Sequence, residues 1–257
     1  MTKQFALLLA IPFLFGKSSD RPNFEHYEKF GPRTYVAHYE VSNGEYRKFL
    51  KGLNEEELAE FRIDSSAWIR SIEFAYHDPM VENYHSHPAY KKYPVVNISQ
   101  QAAEAYCQWL SDQYNSQEKR DFQKVQFRLP SNEEWMSFAS PLPNNRLPWY
   151  GNLPYTPEKD GKTSDILCNI KLYDYRSGKH NYIADGGFYP VKVGSYPANH
   201  SGLFDIIGNV AEMTSDSLIK GGSWDNTIEE SFIDLEQNFS LPDPRVGFRV
   251  VMEVLEP

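Results

Sequence analysis

The 257-residue sequence holds only two cysteines, Cys107 and Cys168. Two thiols cannot build a disulfide scaffold or a four-thiolate zinc site. Positive charge is also scarce: 26 Lys and Arg stand against 35 Asp and Glu, a formal charge of −9. Such a chain lacks the basic surface that non-specific nucleic-acid binding needs, so no nucleic-acid partner is expected. Long apolar runs are missing too. The longest, Phe5 to Gly16, has 12 residues, well short of the roughly 20 that a membrane-spanning helix requires. No G-x-S-x-G nucleophile motif and no phosphate-cradling P-loop occurs. Aromatic residues are plentiful at 15%, which excludes the composition of a disordered chain.

The apolar run has a specific reading. Lys3 precedes it, and the polar Lys17-Ser18-Ser19-Asp20 follows. A basic start, a short apolar stretch and small residues at its end form the pattern of a secretory signal peptide. Residues 1–18 are therefore expected to be a removable signal, and 19–257 a single exported domain with no spanning segment after removal. The alternative is a buried N-terminal strand or helix. No cysteine follows the run, so a bacterial lipid anchor at that point is excluded.

Helix signals concentrate in the first half. Ser42 and Glu45 form a capping box ahead of Tyr46, Phe49, Leu50 and Leu53 at helical spacing. Glu55 to Phe61 reads as a further short helix. Ser99 caps a helix with the stripe Ala103, Tyr106, Cys107 and Leu110, and Ser131 with Glu134 opens another carrying Trp135 and Phe138. After Pro141, Gly, Pro, Asn and Asp punctuate the chain and helices nearly vanish. Only 191–193 and 248–251 look like strands. A loop-rich half of this length needs partners for its backbone groups other than regular ladders, such as bound ions or side-chain caps.

Several strings in series carry a family resemblance: YEVSNGEYRKFL (39–50), HPAYKKYPVVNIS (87–99), AAEAYCQWLS (102–111), FRLPSNEEW (127–135), CNI (168–170), DGGFYPVKVGSYPAN (185–199), GLFDIIGNVAEMTSD (202–216), KGGSW (220–224) and VGFRV (246–250). In this order they resemble the formylglycine-generating enzyme, or sulfatase-modifying factor, family across about residues 34–252. The resemblance implies an α+β fold, a loop-rich variant of the C-type-lectin-like architecture with little regular secondary structure. The HPAY–YPVV variant is also similar to family members among the gliding-motility and secretion lipoproteins of Bacteroidetes-type bacteria.

Enzymes of that family oxidise a substrate cysteine to formylglycine with two thiols that bind copper(I), placed shortly after the GGS-aromatic string. Here residues 222–232 read GSWDNTIEESF, without a cysteine. No copper is expected, and no residue is assigned a catalytic role. In many relatives the cysteine of AYC pairs with one in GFRC; that place is Val250 here, leaving Cys107 without that partner. Cys107 and Cys168 read as structural thiols, a bridge between them being the alternative. His85 and His87 read as surface loop residues, and Asp225, Glu229, Glu230, Asp234 and Glu236 as a solvated acidic loop or a surface for a cationic partner.

The resemblance also implies calcium. Carried over by position, one site takes Asn169, the Ile170 carbonyl, Asp185 and the Gly187 carbonyl. A second takes Asp205, the carbonyls of Gly208 and Val210, and Glu212. All-oxygen ligation of this kind suits Ca²⁺, while caps without metal are the alternative, because Asn and Asp also bond their own turns. Two positions depart from the pattern, with Asp205 for a frequent Asn and Gly187 for an aromatic residue. The expectation is thus an exported domain, periplasmic or on the cell surface, that binds or supports a protein partner in a bacterial envelope without catalysis. An oxidase with relocated chemistry is one alternative, and a lectin-like ligand-binding module using the 223–245 surface is another.

Overall fold

A computed structural model describes residues 26–72, 78–140, 145–149, 154, 166–174, 179–181 and 187–257. The expected signal at 1–18 and Asp185 lie outside the described residues. In chain order the elements are β1 (Tyr27–Lys29), β2 (Thr34–Ala37), α1 (Asn43–Leu50), α2 (Glu55–Phe61), α3 (Ala67–Ser71), α4 (Asp78–Asn83), α5 (Gln100–Asn115), β3 (Lys124–Arg128), α6 (Asn132–Ala139), β4 (Leu172–Asp174), β5 (Lys179–Asn181), β6 (Ala211–Met213), β7 (Leu218–Lys220), β8 (Gln237–Asn238), β9 (Val246–Gly247) and β10 (Val251–Glu256).

The first sheet has the order β1-β2-β10-β3 with antiparallel pairs throughout, so β10 is central. Side chains alternate across a strand. Met252 and Val254 of β10 accordingly join Tyr106, Cys107, Val125 and Phe127 in one core, beneath α1 and α5. Val251 turns the other way, into a second core with Val36, Trp135, Phe138, Cys168, Ile206 and Ile233. The second sheet runs β8-β7-β6-β9, with β6 and β9 parallel, and β4 with β5 makes a separate hairpin. Trp68, Tyr84, Val96, Val210 and Trp224 form a third, aromatic cluster.

Each of the four expected helices forms with its cap. Ser42 and Ser131 each accept from the third backbone N–H while Glu45 and Glu134 return the bond, and Ser99 caps α5. Asn54 adds a third box, on α2. The strand expected at 191–193 does not form. Its N–H groups go instead to the Asn209 side chain (2.9 Å, from Val191) and to the Lys92 carbonyl (2.9 Å, from Val193). The strand expected at 248–251 starts later, at Val251, and residues 248–250 connect β9 to β10 outside any strand. Even so, the carbonyls of Phe248 and Val250 accept from Val41 and Ala37. Gly221 and Gly222 adopt φ of +84° and +67°, conformations that glycine reaches without a Cβ penalty.

Candidate functional site

The stretch where the resemblance would place the copper thiols is a closed turn. The N–H and hydroxyl of Ser223 both donate to Asn226 Oδ1, at 3.0 and 2.7 Å. The Thr227 N–H donates to Glu230, and the Ser231 hydroxyl to the Thr227 carbonyl. The fully buried Ser231 presses on the chain so closely that a Cβ on Gly222 would stand 2.1 Å from its hydroxyl oxygen. The chain's two thiols are elsewhere: Cys107 in the core under α5, Cys168 in the second core. No disulfide joins them. Burial pushes the Cys107 thiol far above its ordinary range, the opposite of what a thiolate ligand needs. These residues do not fit a two-thiol copper centre.

Directly behind this turn lies a buried ionic network that joins the two halves of the molecule. Arg249, fully buried, uses all five of its N–H groups. Two go to the carbonyls of Ala37 and His38 (2.9 and 2.6 Å), one to Phe204 (2.7 Å), and two to Glu212, where Nη2 meets Oε1 at 2.6 Å. Nε is shared between both Glu212 oxygens at 3.1 Å. Trp135 Nε1 donates to Glu212 Oε2 at 2.8 Å. Three N–H groups therefore converge on this carboxylate, one of them shared between its two oxygens. Glu212 is the counter-ion of Arg249. Its implied role as a calcium ligand would ask the same carboxylate to serve Arg249, Trp135 and a cation together.

Asp205 differs. Its Oδ2 accepts from the Gly194 N–H at 2.5 Å and its Oδ1 from Tyr196 at 3.3 Å, leaving room on both oxygens. Burial raises its carboxyl to about 6, against the pull of those two N–H bonds and of Arg249. Close by is a residue that the sequence reading did not assign, Glu40. It is 1% exposed; Oε1 accepts from Asn209 Nδ2 at 2.7 Å, and Oε2 has no hydrogen-bond partner. Burial, and then the Asp205 charge, push the Glu40 carboxyl well above the ordinary carboxylate range.

The other implied calcium site passes a fit test on its described residues. Asn169 is fully buried, with Nδ2 donating to the Tyr189 carbonyl at 3.0 Å and Oδ1 without a hydrogen-bond partner. A Cβ on Gly187 would come within 3.0 Å of that Oδ1, so the Gly187 backbone lies against it. A buried oxygen left open beside main chain suits a hard cation. The Asn169 carbonyl meanwhile accepts from Asn209 (2.8 Å), and residues 169 and 208 form a parallel bridge. Gly208, at φ +77°, permits this approach: a Cβ there would stand 2.1 Å from the Asn169 carbonyl oxygen. The two expected sites thus share one backbone junction. Ile170 is buried in the second core and Val210 in the aromatic cluster, so either would meet a cation through main-chain oxygen and not through its side chain. Among the described residues, no group of three or more His, Cys, Asp or Glu side chains is arranged to hold a metal.

One further expectation is corrected. His85 is buried, not a surface residue: Nδ1 donates to Asn43 Oδ1 at 3.1 Å and Nε2 accepts from Asn97 Nδ2 at 3.2 Å. Burial, then the Arg47 charge, depress it to about 3, so the ring is neutral. The acidic loop is solvated as expected, with Glu229, Glu230, Asp234 and Glu236 exposed and Asp225 half-buried. Asp225 pairs with Lys171 (3.0 Å) and Arg245 (3.5 Å), Asp234 with Arg146 (2.9 Å), and Glu236 accepts from Asn132.

Comparison with known proteins agrees with this architecture. The family described as "Sulfatase-modifying factor enzyme 1-like domain" matches residues 3–254. The chain is 29% identical over 153 residues to the bovine (Bos taurus) "Inactive C-alpha-formylglycine-generating enzyme 2", covering 54% of this chain and 41% of that protein. It is 26% identical over 204 residues to the mouse (Mus musculus) "Formylglycine-generating enzyme", covering 71% and 48%. The chain thus spans less than half the length of these curated relatives. The solved structure of PvdO from Pseudomonas aeruginosa superposes with a TM-score of 0.56 at 19% identity, over 86% of this chain and 80% of that one, and shares the fold. With the family match running across nearly the whole chain and the fold in agreement, the protein belongs to the sulfatase-modifying factor enzyme 1-like domain family.

Proposed function

We propose that the protein is an exported, non-catalytic member of its family that serves as a binding or structural component of a bacterial envelope, in the periplasm or at the cell surface. The closed, thiol-free turn at 223–231 carries this reading. Function follows the site and not the fold, and the chemistry of the family's oxidases needs two adjacent thiolates. The bovine relative bears the word "inactive" in its own name. Calcium at Asn169, Ile170, Gly187 and Asp185 would order the loop-rich half, as the open Asn169 oxygen supports.

The test is direct. Purified protein incubated with copper(I) and a Cys-x-Pro-x-Arg peptide should form no aldehyde, and copper-dependent aldehyde formation would overturn the reading. Intact mass of material from the native host should place the mature start near Lys17–Asp20; retention of Phe5–Gly16 would sink the export half. A second reading has one observation in its favour. A cavity of about 320 Å³ on the 223–245 surface is lined by Asn226, Gln237, Asn238, Ser240, Asp243 and Arg245, side chains suited to a neutral polar ligand such as a glycan.

A further inference from the structure

We propose that residues 88–93 and 188–192 form one docking surface for an acidic polysaccharide, a polymer of sugar rings that carry carboxylates. This rests on the binding-component reading and goes beyond it by naming the surface and the chemistry of the partner.

Charge comes first. The chain carries a formal charge of −9, and ion pairs engage Arg70, Arg128, Arg146, Lys171, Arg245 and Arg249. Lys91, Lys92 and Lys192 are exposed and belong to no ion pair among the described residues. The Val193 N–H donates to the Lys92 carbonyl at 2.9 Å, which joins the two segments. Lys91 lays its stem against Gly44, where a Cβ would stand 2.7 Å from the lysine Cγ, a packing that leaves the ammonium to solvent. Arg47, further along α1, donates to the carbonyls of His85 and Ser86 at 3.0 and 2.8 Å, and not to a carboxylate. The neighbouring acids are engaged or set apart. Glu45 closes the α1 cap, Glu82 is exposed on α4, and Glu40 and Asp205 are buried with the Arg249 charge acting on both. Clustered cations without carboxylate partners attract and orient a polyanion.

The rings decide which polyanion. Phe188 is 49% exposed, and Tyr90, Tyr93 and Tyr189 are half-buried. Behind them Trp68 and Tyr84 are fully buried. Ring centroids run in a connected layer: Phe188 to Tyr189 is 4.8 Å, Tyr189 to Trp68 5.6 Å, Trp68 to Tyr84 5.2 Å and Tyr84 to Tyr90 5.3 Å. Buried rings thus hold the outer ones in place, which lowers the ordering cost of stacking a ligand on them. A tyrosine offers an apolar face and a polar tip. That pairing matches the C–H face and hydroxyl rim of a sugar ring, while the lysines between the rings match its carboxylates. An anionic membrane would be met by several protruding apolar side chains. Among the described residues, Phe188 is the one exposed large apolar side chain on these segments. An acidic peptide would need the lysines and not the rings.

The experiment measures binding of the full chain to hyaluronan and to polygalacturonate, two soluble uronic-acid polymers, by biolayer interferometry. Dextran, poly-glutamate and phosphatidylglycerol vesicles are the comparison probes. The parent should bind at least one uronic-acid polymer more tightly than any comparison probe, and the binding should weaken as salt is raised. Lys91→Ser/Lys92→Ser/Lys192→Ser should weaken it by at least about tenfold, and Phe188→Ser by at least about fivefold. Lys29→Ser/Lys119→Ser/Lys124→Ser removes the same charge elsewhere and should stay within about twofold of the parent, with far-UV circular dichroism checking that each variant is folded. The inference is overturned if neither uronic-acid polymer binds, if vesicles or poly-glutamate bind as tightly, or if the second triple variant loses as much as the first. None of these results bears on aldehyde formation or on the mature start, so this inference fails separately from the reading it rests on.

Discussion

The described residues of 26–140 and residues 187–250 are ordered by different means. The first region contains α1 to α6, each expected helix entered through a side-chain cap, and its core is apolar and aromatic. The second has strands of two or three residues and is held by buried polar side chains: Arg249, Glu212, Asn209, Asn169 and Lys220. The difference shows two routes to one density of order. One is local and periodic, with the backbone satisfying itself. The other is non-local, with single side chains answering backbone groups from several segments at once, as Arg249 answers residues 37, 38 and 204.

The contrast can be broken most sharply at Arg249. Arg249→Met leaves Glu212 buried and unpaired, and should lower stability by about 3–5 kcal/mol, read from denaturant midpoints. The double variant Arg249→Met/Glu212→Met should recover much of that loss, because the cost lies in the orphaned charge. A single-variant cost as small as that of an exposed ion pair would mean that the second region does not depend on its network.

The next effect is acid-dependent and belongs to the first region. His85 is held neutral at about 3 when folded, against 6.5 for an ordinary imidazole. The unfolded chain therefore binds the extra proton first, and stability falls as pH drops below about 6.5, by about 1.4 kcal/mol per pH unit at most. The groups facing the ring are Asn43, Asn97 and Tyr84, while Arg47 donates to the His85 main-chain carbonyl. His85→Gln should flatten the slope between pH 6 and 4 in a series of thermal melts; an unchanged slope would assign it to other groups.

The smallest expected effect tests the local route. Ser131→Ala removes the α6 cap and should cost about 1 kcal/mol at neutral pH. If it costs as much as Arg249→Met, the two regions are not distinct in how they are held.

These differences also explain what the sequence disclosed. Caps are short-range, so Ser42, Ser99 and Ser131 marked their helices at sight, and the aromatic stripe of α5 marked its buried face. The family strings disclosed the fold and pointed at Asn169 and Asp205. What stayed hidden was partnership. Nothing within the string YEVSN says that Glu40 will be buried 165 residues from Asp205, nor does a His-Ser-His string announce that His85 will be clasped by Asn43 and Asn97. The string around Glu212 gave no sign of its pairing with Arg249 and Trp135, both distant in the chain. Short apolar strings such as 191–193 misled for the same reason: a strand requires a neighbour, and here the neighbour was a side chain.

The position of β10 has a consequence for the order of folding. It is the last element of the described fold in chain order, yet it sits at the centre of the first sheet, between β2 and β3. More than 120 residues separate β3 from β10, a loop whose closure must be met before the sheet is rewarded with contacts. During synthesis β2 and β3 therefore emerge with their pairing edges open and their shared partner not yet made. Helices α1 and α5 can form at once, but they have no complete sheet to pack on until residues 251–256 arrive. The first sheet is assembled from the first half and locked by β10, so it is expected to close only after residues 251–256 have emerged.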